Sequence, residues 1–500
     1  MVLQRLTMFS FVSRLSATAS LALVALALPV MAHAQTLAQT PVDLIIRDAR
    51  VVDVKTGQVA PDRAVIISGD TIIAVMADAD VAGAYSAPET VDVDGRWVMP
   101  GLWDNHVHFG GAGFEEENAD LMQLYVLNGV TGVRDAAGDL AQTVLDWRSA
   151  PPRAIGPNLF TSGPKIEGIA PVWKGVIETG SEADVDAALD RLQALGVDFV
   201  KITDNTLKPE LFLYTVREAK KRGMKTSGHI PMSLTVLEAA EAGLSTIEHL
   251  NYLMKAGSSD EAGISADYLA GKYTYAQTMA RYAETFDPVV ALRVYRRLAE
   301  LGVMASPTQH GSSTLAWLDR DDHRHDPELA YIGPGIRGTY GWRVERAAQA
   351  TPEMVEARHF VEATTLKTFP LLREAGVRIL AGTDAGFLNS FNYPGFSLHS
   401  ELELYVANGL TPRDALEASV INGPALLGKS DRFGAVTEGK AADLIVLDAD
   451  PLVDVASTRR INAVVRAGRM LDRAALDALD ADIRARVTAH EADAAAKAAN

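Results

Sequence analysis

The sequence predicts an α/β protein, in which a TIM-type (β/α)8 barrel is joined to a small β-sandwich domain formed from both chain ends. Eight apolar strand candidates alternate with helical stretches across residues 99–430, as parallel βα units require. Strand-rich segments flank this middle region at 35–98 and 431–470. The chain has 500 residues, of which 48% are hydrophobic, enough for one large domain and one smaller domain.

The first 34 residues have the pattern of a cleavable signal peptide. Arg5 and Arg14 precede an apolar run over 17–31, and Ala32-His33-Ala34 fits the small-x-small cleavage rule before Gln35. The alternative is a membrane anchor, but the apolar run is short for a span. We therefore expect cleavage after Ala34, no stable membrane anchor, and a periplasmic or secreted protein.

The flanking segments have the alternating apolar pattern and the turns that are typical of a small β-sheet. Residues 42–98 contain alternating apolar runs with a turn at Thr56-Gly57 and a predicted hairpin at Gly69-Asp70. The same pattern returns at 434–448 and 461–470, which predicts one composite β domain. Residues 471–500 are rich in alanine and charge and predict an exposed C-terminal helix.

Between the flanks, helical patterns that end at glycine separate the strand candidates. The stretch 311–365 is long for a βα connection and carries a charged run at 319–326, so we expect it to fold over the mouth of the barrel. The strand candidates are 102–108, 132–135, 158–163, 199–203, 225–230, 246–250, 303–308 and 378–384.

Charge and cysteine content exclude several functions. The net charge of −17 argues against nucleic acid or an anionic membrane as partner, and favours a small-molecule substrate. A homo-oligomer is compatible with the sequence. The chain contains no cysteine, which excludes disulfides, thiolate zinc sites and a cysteine nucleophile. A metal must be held by histidine, carboxylates or a modified side chain.

Metal-ligating residue types recur at the carboxyl ends of the predicted barrel strands, where side chains converge on one pocket. His106 and His108 are two positions apart, so they point to the same face of a strand. Packing alone does not explain such residues at the same end of several strands. The candidate metal ligands are His106, His108, Lys201, His229, His249 and Asp384.

Two of these candidates have a plausible structural alternative. Asp384 follows Gly382-Thr383 and is also a candidate helix N-cap. Lys201 lies between Val200 and Ile202, where burial of a lysine is costly unless the side chain extends to the surface. A desolvated lysine reacts as a neutral amine, and carbon dioxide would convert it to a carbamate able to bridge two cations.

At these positions the chain resembles the amidohydrolase superfamily, closest to its imidazolonepropionase-like branch, which includes metal-dependent dipeptidases. The resemblance is carried by D-N-H-V-H after P-G-L, by Lys201 and the two single histidines, and by G-T-D-A at 382–385. It extends to G-K-A-A-D-L-I-V-L-D at 439–448 and N-G-P-A-L-L-G at 422–428. The resemblance implies that two divalent cations, expected to be Zn2+, are held by His106, His108 and Asp384 and by His229 and His249, with carboxylated Lys201 and a hydroxide bridging them.

The expected function is a metal-dependent amidohydrolase that cleaves a carbon–nitrogen bond of a small peptide or N-acyl amino acid through the bridging hydroxide. Asp384 is expected to carry the proton to the leaving nitrogen. His310, just past strand 7, is a second catalytic candidate, expected to polarise a substrate carbonyl. An ordinary loop histidine is its alternative.

The loop after strand 3 bears on the substrate. Lys165 and Trp173 would suit an apolar or aromatic group beside a carboxylate, or would simply pack the loop. Two other functions stay open at this point. One is a mononuclear cyclic-amide hydrolase with an unmodified Lys201, and the other is a non-catalytic periplasmic binding protein.

Overall fold

The computed structural model describes residues 39–149 and 155–499. The predicted signal segment 1–34 lies outside these residues. Among the helices of the described part, none combines the length and the apolar character that a membrane crossing requires.

The strands of the described residues form sheets in the middle of the chain and at both ends. In chain order they are β1 (Thr40–Pro41), β2 (Leu44–Asp53), β3 (Gln58–Ser68), β4 (Thr71–Ala77), β5 (Tyr85–Ser86), β6 (Glu89–Asp92), β7 (Trp97–Pro100), β8 (Leu102–His108), β9 (Val130–Asp135), β10 (Asn158–Thr161), β11 (Ile166–Glu167), β12 (Ile177–Glu178), β13 (Val200–Ile202), β14 (Thr226–Gly228), β15 (Thr246–Glu248), β16 (Met304–Ser306), β17 (Ala385–Gly386), β18 (Leu444–Leu447), β19 (Ile461–Arg466) and β20 (Arg469–Leu471).

The helices lie mostly between the strands of the middle region. They are α1 (Val81–Ala84), α2 (Glu115–Leu127), α3 (Ala141–Ser149), α4 (Glu182–Ala194), α5 (Pro209–Lys221), α6 (Val236–Ala242), α7 (Leu250–Ala256), α8 (Glu261–Leu269), α9 (Tyr275–Glu284), α10 (Pro288–Leu301), α11 (Gln309–Ala316), α12 (Pro334–Gly338), α13 (Gly341–Ala348), α14 (Pro352–Leu366), α15 (Thr368–Ala375), α16 (Phe396–Ala407), α17 (Pro412–Val420), α18 (Asn422–Leu426) and α19 (Arg473–Ala499). Short 3-10 turns lie at Asp78–Asp80, His323–His325, Pro327–Tyr331 and Val455–Arg459.

Both chain ends build one sheet. Its strand order is β20-β19-β18-β7-β2-β3-β4, and β6 pairs with β2. The central pairing is antiparallel, with Leu444 opposite Pro100 and Leu447 opposite Trp97. The apolar side chains of one face, including Ile46, Val98 and Val446, share a core cluster, which explains the alternation seen in the sequence. A second layer, which would make this sheet a sandwich, stays a prediction.

The middle of the chain forms two parallel sheets, ordered β10-β9-β8-β17 and β12-β11-β13-β14-β15-β16. Backbone contacts connect them at both ends. Asp198 N donates to Thr161 O over 2.9 Å, and an isolated parallel bridge joins Ala305 to Ile379. The parallel pairing agrees with the predicted βα alternation.

Strand β8 has the predicted bounds and β9 is longer than predicted, whereas the next five predicted strands are shorter in the structure and the last differs in position. The sequence predicts a strand over 378–384, whereas β17 covers Ala385–Gly386. The backbone before β17 still follows its neighbour, because Asp384 N donates to His106 O over 2.7 Å. Asp384 therefore precedes the short strand instead of ending a long one.

Local sequence signals set the helix ends. Helix α6 begins with a capping box between Thr235 and Glu238 and ends at Gly243, whose φ of 116° suits glycine. Helix α10 follows the same rule, from the N-cap Asp287 to the left-handed Gly302. Each helix then leads directly into the next parallel strand.

The helix α18 approaches the strand that carries the first two histidines. A Cβ on Gly423 would lie 1.9 Å from Oδ1 of Asn105. Asn105 itself donates to Ala381 O over 2.9 Å. The glycine of the N-G-P-A-L-L-G segment therefore lets this helix contact β8 directly.

The C-terminal helix α19 is the predicted one, but it is only partly exposed. Leu476, Ile483 and Val487 are buried, and Arg486 pairs with the buried Asp120 of α2 over 2.7 Å. Helix α19 therefore packs on the helix that follows the first strand of the middle region.

Candidate metal centre and substrate cavity

His106, His108 and Asp384 converge at the ends of two neighbouring strands, and we call them the first cluster. The Nε2 atoms of the two histidines are 3.3 Å apart. Oδ1 of Asp384 lies 2.9 Å from Nε2 of His108 and 3.5 Å from Nε2 of His106. Ligands about 2.1 Å from one tetrahedral zinc are about 3.4 Å apart, so these separations fit one metal ion.

The Nδ1 atoms of both histidines face acceptors. Nδ1 of His106 lies 2.5 Å from Oε2 of Glu248, and Nδ1 of His108 donates to the carbonyl of Ala137. A carboxylate or carbonyl only accepts hydrogen bonds, so each Nδ1 carries the proton and each Nε2 presents a lone pair. This tautomer is the one that a metal ligand requires.

His229 and His249 form the second pair. Each directly follows a parallel strand, β14 or β15, and their Nε2 atoms are 2.9 Å apart. Nδ1 of His249 lies 2.7 Å from Oγ1 of Thr308, whose hydroxyl donates to Pro307 O. The Thr308 oxygen therefore accepts from His249, and Nε2 of His249 is free for a cation.

Lys201, on β13, is the candidate ligand that carries an amine, and it is buried. Its side chain is 1% exposed, and Nζ has no hydrogen-bond partner. Burial lowers the pKa of Lys201 to about 8, against the attraction of the Glu248 carboxylate. Its charge in turn acts on His106, His229 and His249, so the amine lies beside both histidine groups.

Burial also sets the protonation of the other groups. It lowers the pKa of His106 to about 3 and that of His249 to about 4. Burial alone would raise the pKa of Asp384, but the adjacent His108 and His106 hold it well below its usual range. Near neutral pH His106 and His249 are neutral and Asp384 is a carboxylate, as metal ligation requires.

Strained backbone concentrates around the centre. His249, Thr308, Asp384 and Ala137 all have left-handed φ values, of 70°, 49°, 62° and 69°. Each such residue costs about 1–3 kcal/mol, and such strain is typical of functional sites. Of these strained residues, His249 and Asp384 are candidate ligands, and Thr308 and Ala137 accept hydrogen bonds from candidate ligands.

A buried carboxylate that the sequence analysis missed joins several side chains beneath the centre by hydrogen bonds. Glu248, on β15, is fully buried and accepts hydrogen bonds from four side chains. The only sequence signal was its position directly before His249 at a strand end. Its donors are His106 Nδ1, Arg134 Nη2 at 2.9 Å, Ser227 Oγ at 2.6 Å and Thr246 Oγ1 at 2.5 Å.

The centre opens into a cavity of about 1290 Å3. Lys165 and Trp173 both line it, as the sequence analysis suggested, and Nζ of Lys165 lies 5.2 Å from the centre of the Trp173 ring. Burial lowers the pKa of Lys165, against the attraction of Asp384. The predicted long insertion also contributes to the wall, through Trp342 and Arg343 of α13.

His310 does not join the other candidates. Gln309, its neighbour on α11, lines the cavity, but His310 does not. The charged groups that act on its imidazole are Arg459, His323 and Asp326, none of which lines the cavity. A role for His310 in polarising a substrate carbonyl therefore has no geometric support, and it stays an untested prediction.

The donor set fits a divalent metal. Within the described ranges, His106, His108 and Asp384 are the group of three histidine, aspartate or glutamate residues close enough to share one ion. Four imidazole nitrogens and a carboxylate face one another here, and Lys201 Nζ is buried without a partner. A cation between them would satisfy these lone pairs.

The chain matches the family model described as the amidohydrolase family over residues 97–471, and therefore belongs to that family. Imidazolonepropionase of Pseudomonas putida is 26% identical over 409 residues, which cover 79% of this chain and 90% of the relative. An adenine deaminase of Chelativorans sp. (strain BNC1) is 28% identical over 215 residues, covering 38% of this chain and 32% of the relative.

Solved structures of the same fold include a bottromycin amidohydrolase, with a TM-score of 0.66 and 21% identity over 89% of this chain and 90% of that chain. A Xaa-Pro dipeptidase with bound methionine has a TM-score of 0.61 and 21% identity, covering 86% and 99%. These neighbours imply a TIM-like α/β fold.

Proposed function

We propose that this protein is a metal-dependent hydrolase that cleaves the amide bond of a small peptide or an N-acyl amino acid. The observation that carries the proposal is the joint orientation of the first cluster and the second pair. Nε2 of His106, His108 and His249 is left free by an acceptor at Nδ1, and Asp384 lies against the first two. Such an arrangement suits metal-assisted hydrolysis.

Two divalent metals, expected to be zinc, would be held by these residues with Lys201 between them. When bound, such metals lower the pKa of water and polarise a carbonyl. We infer that Lys201 reacts with carbon dioxide, because its buried amine has a lowered pKa and no partner. The Nζ–C bond forms, one proton leaves, and the resulting carbamate would supply anionic oxygens.

The protein's own residues would handle the proton. Asp384 would accept a proton on Oδ2, since Oδ1 faces the two histidines, from the attacking water as the O–C bond forms. It would then deliver that proton to the leaving nitrogen as the C–N bond breaks. Glu248 would hold the His106 imidazole in the metal-binding tautomer throughout.

A second candidate is a cyclic-amide hydrolase with one metal and an unmodified Lys201. Its specific support is that the imidazolonepropionase relative is matched over 90% of its length. A non-catalytic binding protein is disfavoured, because a binder has no need for a carboxylate such as Asp384 beside the ligand set.

Three further expectations belong to the same proposal. We infer that eight strands of the two parallel sheets, β8 to β10 and β13 to β17, form a closed barrel, since backbone contacts connect β10 to the segment before β13 and β16 to the segment before β17. The composite sheet would fold into a sandwich. The segment 1–34 would direct the protein to the periplasm or the cell exterior, where a small amide substrate would be met.

The test combines metal analysis with a substrate screen. Protein purified without chelator should contain about two divalent ions per chain, and Lys201→Ala should lose one of them. A zinc-loaded sample should hydrolyse members of a dipeptide or N-acyl amino acid library. One ion per chain, unchanged in the variant, together with turnover of cyclic amides alone, would favour the second candidate.

A further inference from the structure

Lys165 is a buried cation that makes no direct ion pair among the described residues. Its side chain lies between β10 and β11, is 8% exposed, and reaches the cavity. Within the described part of the chain its ammonium makes no hydrogen bond or ion pair, and it lies over the face of the Trp173 ring. An unpaired buried charge is costly to keep, so a ligand that supplies the missing anion would account for it.

The carboxylates near Lys165 are already engaged. Asp384 pairs with His108 at 2.9 Å, and Glu167, Asp135 and Asp139 each accept hydrogen bonds from other groups. Their charges attract the ammonium, but none of them makes a direct ion pair or hydrogen bond with it in the described part of the chain. The donors are Thr203, Asn205 and the Thr206 and Gly168 amides for Glu167, Thr161 and the Phe109 amide for Asp135, and the Gly111 and Ala112 amides for Asp139.

Lys165 is also close to the metal centre. Its charge acts on Lys201 and on His229. In an N-acyl amino acid, the α-carboxylate is separated from the scissile nitrogen by a single carbon. An anion held by Lys165 would therefore lie beside a bond positioned at the centre.

A second cavity cation occupies a separate position. Arg343 of α13 has a buried Nε without a partner. The charged groups that act on it are Asp384 and Arg346, and Lys165 is not among them. Arg343 therefore offers a distinct rival anchor, which experiment can separate from Lys165.

Several large apolar side chains lie at the mouth of the cavity. Val172, Leu269, Tyr275 and Trp342 line the cavity yet are 67%, 59%, 52% and 40% exposed. Large apolar side chains grouped at an opening indicate a binding surface. The cavity, at about 1290 Å3, also exceeds the roughly 300–1,000 Å3 of ordinary small-molecule pockets, so an extended apolar group has room to leave along this rim.

We infer that Lys165 is the anchor for the α-carboxylate of the substrate, and that the apolar rim receives a long or bulky acyl group. The substrate class is then an N-acyl amino acid with a large apolar acyl chain. This inference rests on the proposed amide hydrolysis, whose substrate it specifies.

The test measures binding apart from turnover. The probe is the ketone analogue of N-decanoylglycine, in which a methylene replaces the amide nitrogen, compared with the carboxamide of the same analogue. Calorimetry on zinc-loaded wild-type protein should show the acid binding at least about tenfold tighter, as expected for a charge-assisted hydrogen bond. The analogue with an acetyl chain should bind at least about tenfold more weakly than the decanoyl one.

Lys165→Met should abolish the preference for the acid, and Lys165→Arg should retain most of it. Lys208→Met is the matched control, because this exposed lysine lies just outside the cavity lining, and it should keep the wild-type ratio. The melting temperature of Lys165→Met should equal or exceed that of the wild type, since the variant removes an unpaired buried charge. A marked decrease would mean that the ammonium has a structural partner.

The inference is overturned if Lys165→Met keeps the acid preference, if Arg343→Met alone abolishes it, or if chain length has no effect. Hydrolysis of N-decanoylglycine is followed separately by chromatography of the released glycine. Acid-selective binding without any product would leave the subsite standing and refute the proposed hydrolysis. Hydrolysis without acid selectivity would do the reverse.

Discussion

The two halves of the candidate centre are supported very differently. In the first cluster, His106 is held by Glu248, which itself pairs with the buried Arg134. In the second pair, Nδ1 of His249 donates a hydrogen bond to the hydroxyl oxygen of Thr308. Nδ1 of His229 lies 3.8 Å from Oδ1 of Asp204, which is beyond hydrogen-bond distance, and burial raises the pKa of that carboxyl to about 6.

The two halves should therefore differ in how rigidly their histidine side chains are held. A buried, charge-paired carboxylate fixes a ligand more firmly than a single hydroxyl or a carboxylate beyond hydrogen-bond distance. We therefore expect the first cluster to retain its metal more tightly, and the second pair to be the half that loses or exchanges metal first.

The largest expected effect is that of Asp384→Asn, which alters the first cluster itself. The amide cannot carry the proton, so kcat should fall by a factor of about 10² to 10⁴. Steady-state assays on the best substrate from the screen provide the measurement, with circular dichroism as the check on folding. Asp204→Asn, the matched change beside the second pair, should retain far more activity; equal losses would remove Asp384 from the proton transfer.

Glu248→Gln tests the support of the first cluster. The variant weakens the hold on His106 and leaves Arg134 without its buried counterion, so metal affinity should decrease by about 10- to 100-fold. Stability should fall by about 3–5 kcal/mol. Competition with a chelating dye measures the affinity, and urea unfolding measures the stability.

Glu261→Gln is the control for that variant, because Glu261 is a largely buried carboxylate facing Lys255, at 3.6 Å, outside the ligand set. It should lower stability without changing metal affinity. If both variants left the metal equally tight, Glu248 would be a structural residue only.

Thr308→Val tests the weaker support of the second pair. The loss of one neutral hydrogen bond corresponds to about 1 kcal/mol, so affinity for the more weakly held metal should fall by about fivefold. Stepwise dialysis with metal analysis after each step would show this. Thr215→Val is the control, since that hydroxyl bonds only to its own helix; a larger effect than that of Glu248→Gln would reverse the proposed order of the two halves.

A buried histidine outside the centre, His399, contacts Thr458 and the carbonyl of Asn128 and should make stability depend on pH. Burial lowers its pKa to about 3, below an ordinary value of about 6.5. As the pH falls below 6.5, the unfolded chain binds a proton that the folded chain refuses. His399 therefore reduces stability by up to about 1.4 kcal/mol per pH unit until about pH 3.

His399→Gln should remove this slope. Urea unfolding at several pH values between 7.5 and 4, with chelator present, should show a shallower pH dependence for the variant. Acid loss of metal is absent from both samples under these conditions. Parallel curves for the two proteins would mean that His399 is protonated in the folded state as well.

The proximity of the candidate ligands could be predicted from the sequence, because the ends of parallel strands converge. His106, His108, His229 and His249 lie in or just after short parallel strands, and this rule needs only the strand pattern. Glu248 could not be predicted, since a carboxylate before a ligand has no periodic signal. The positive φ of His249 could not be predicted from the sequence either. This backbone conformation lets Glu248 support His106 while the adjacent His249 serves as a candidate ligand.

His310 shows the limit of the same rule. It follows a strand end, as the candidate ligands do, but it lies in the first turn of helix α11, and its backbone N–H donates to the buried Glu401. That contact comes from a helix far along the chain, and tertiary partners of this kind set the direction of a side chain. Strand ends alone predict proximity, but they do not predict orientation.

The sheet shared by the two chain ends has a consequence for biogenesis. Strand β7 ends at Pro100, but its antiparallel neighbour β18 begins at Leu444, so synthesis passes through both parallel sheets before the partner strand exists. Pairings this distant in sequence form slowly. A nascent chain would leave the ribosome with its N-terminal sheet incomplete, and this delay would suit the proposed export, for which a chain must still be unfolded.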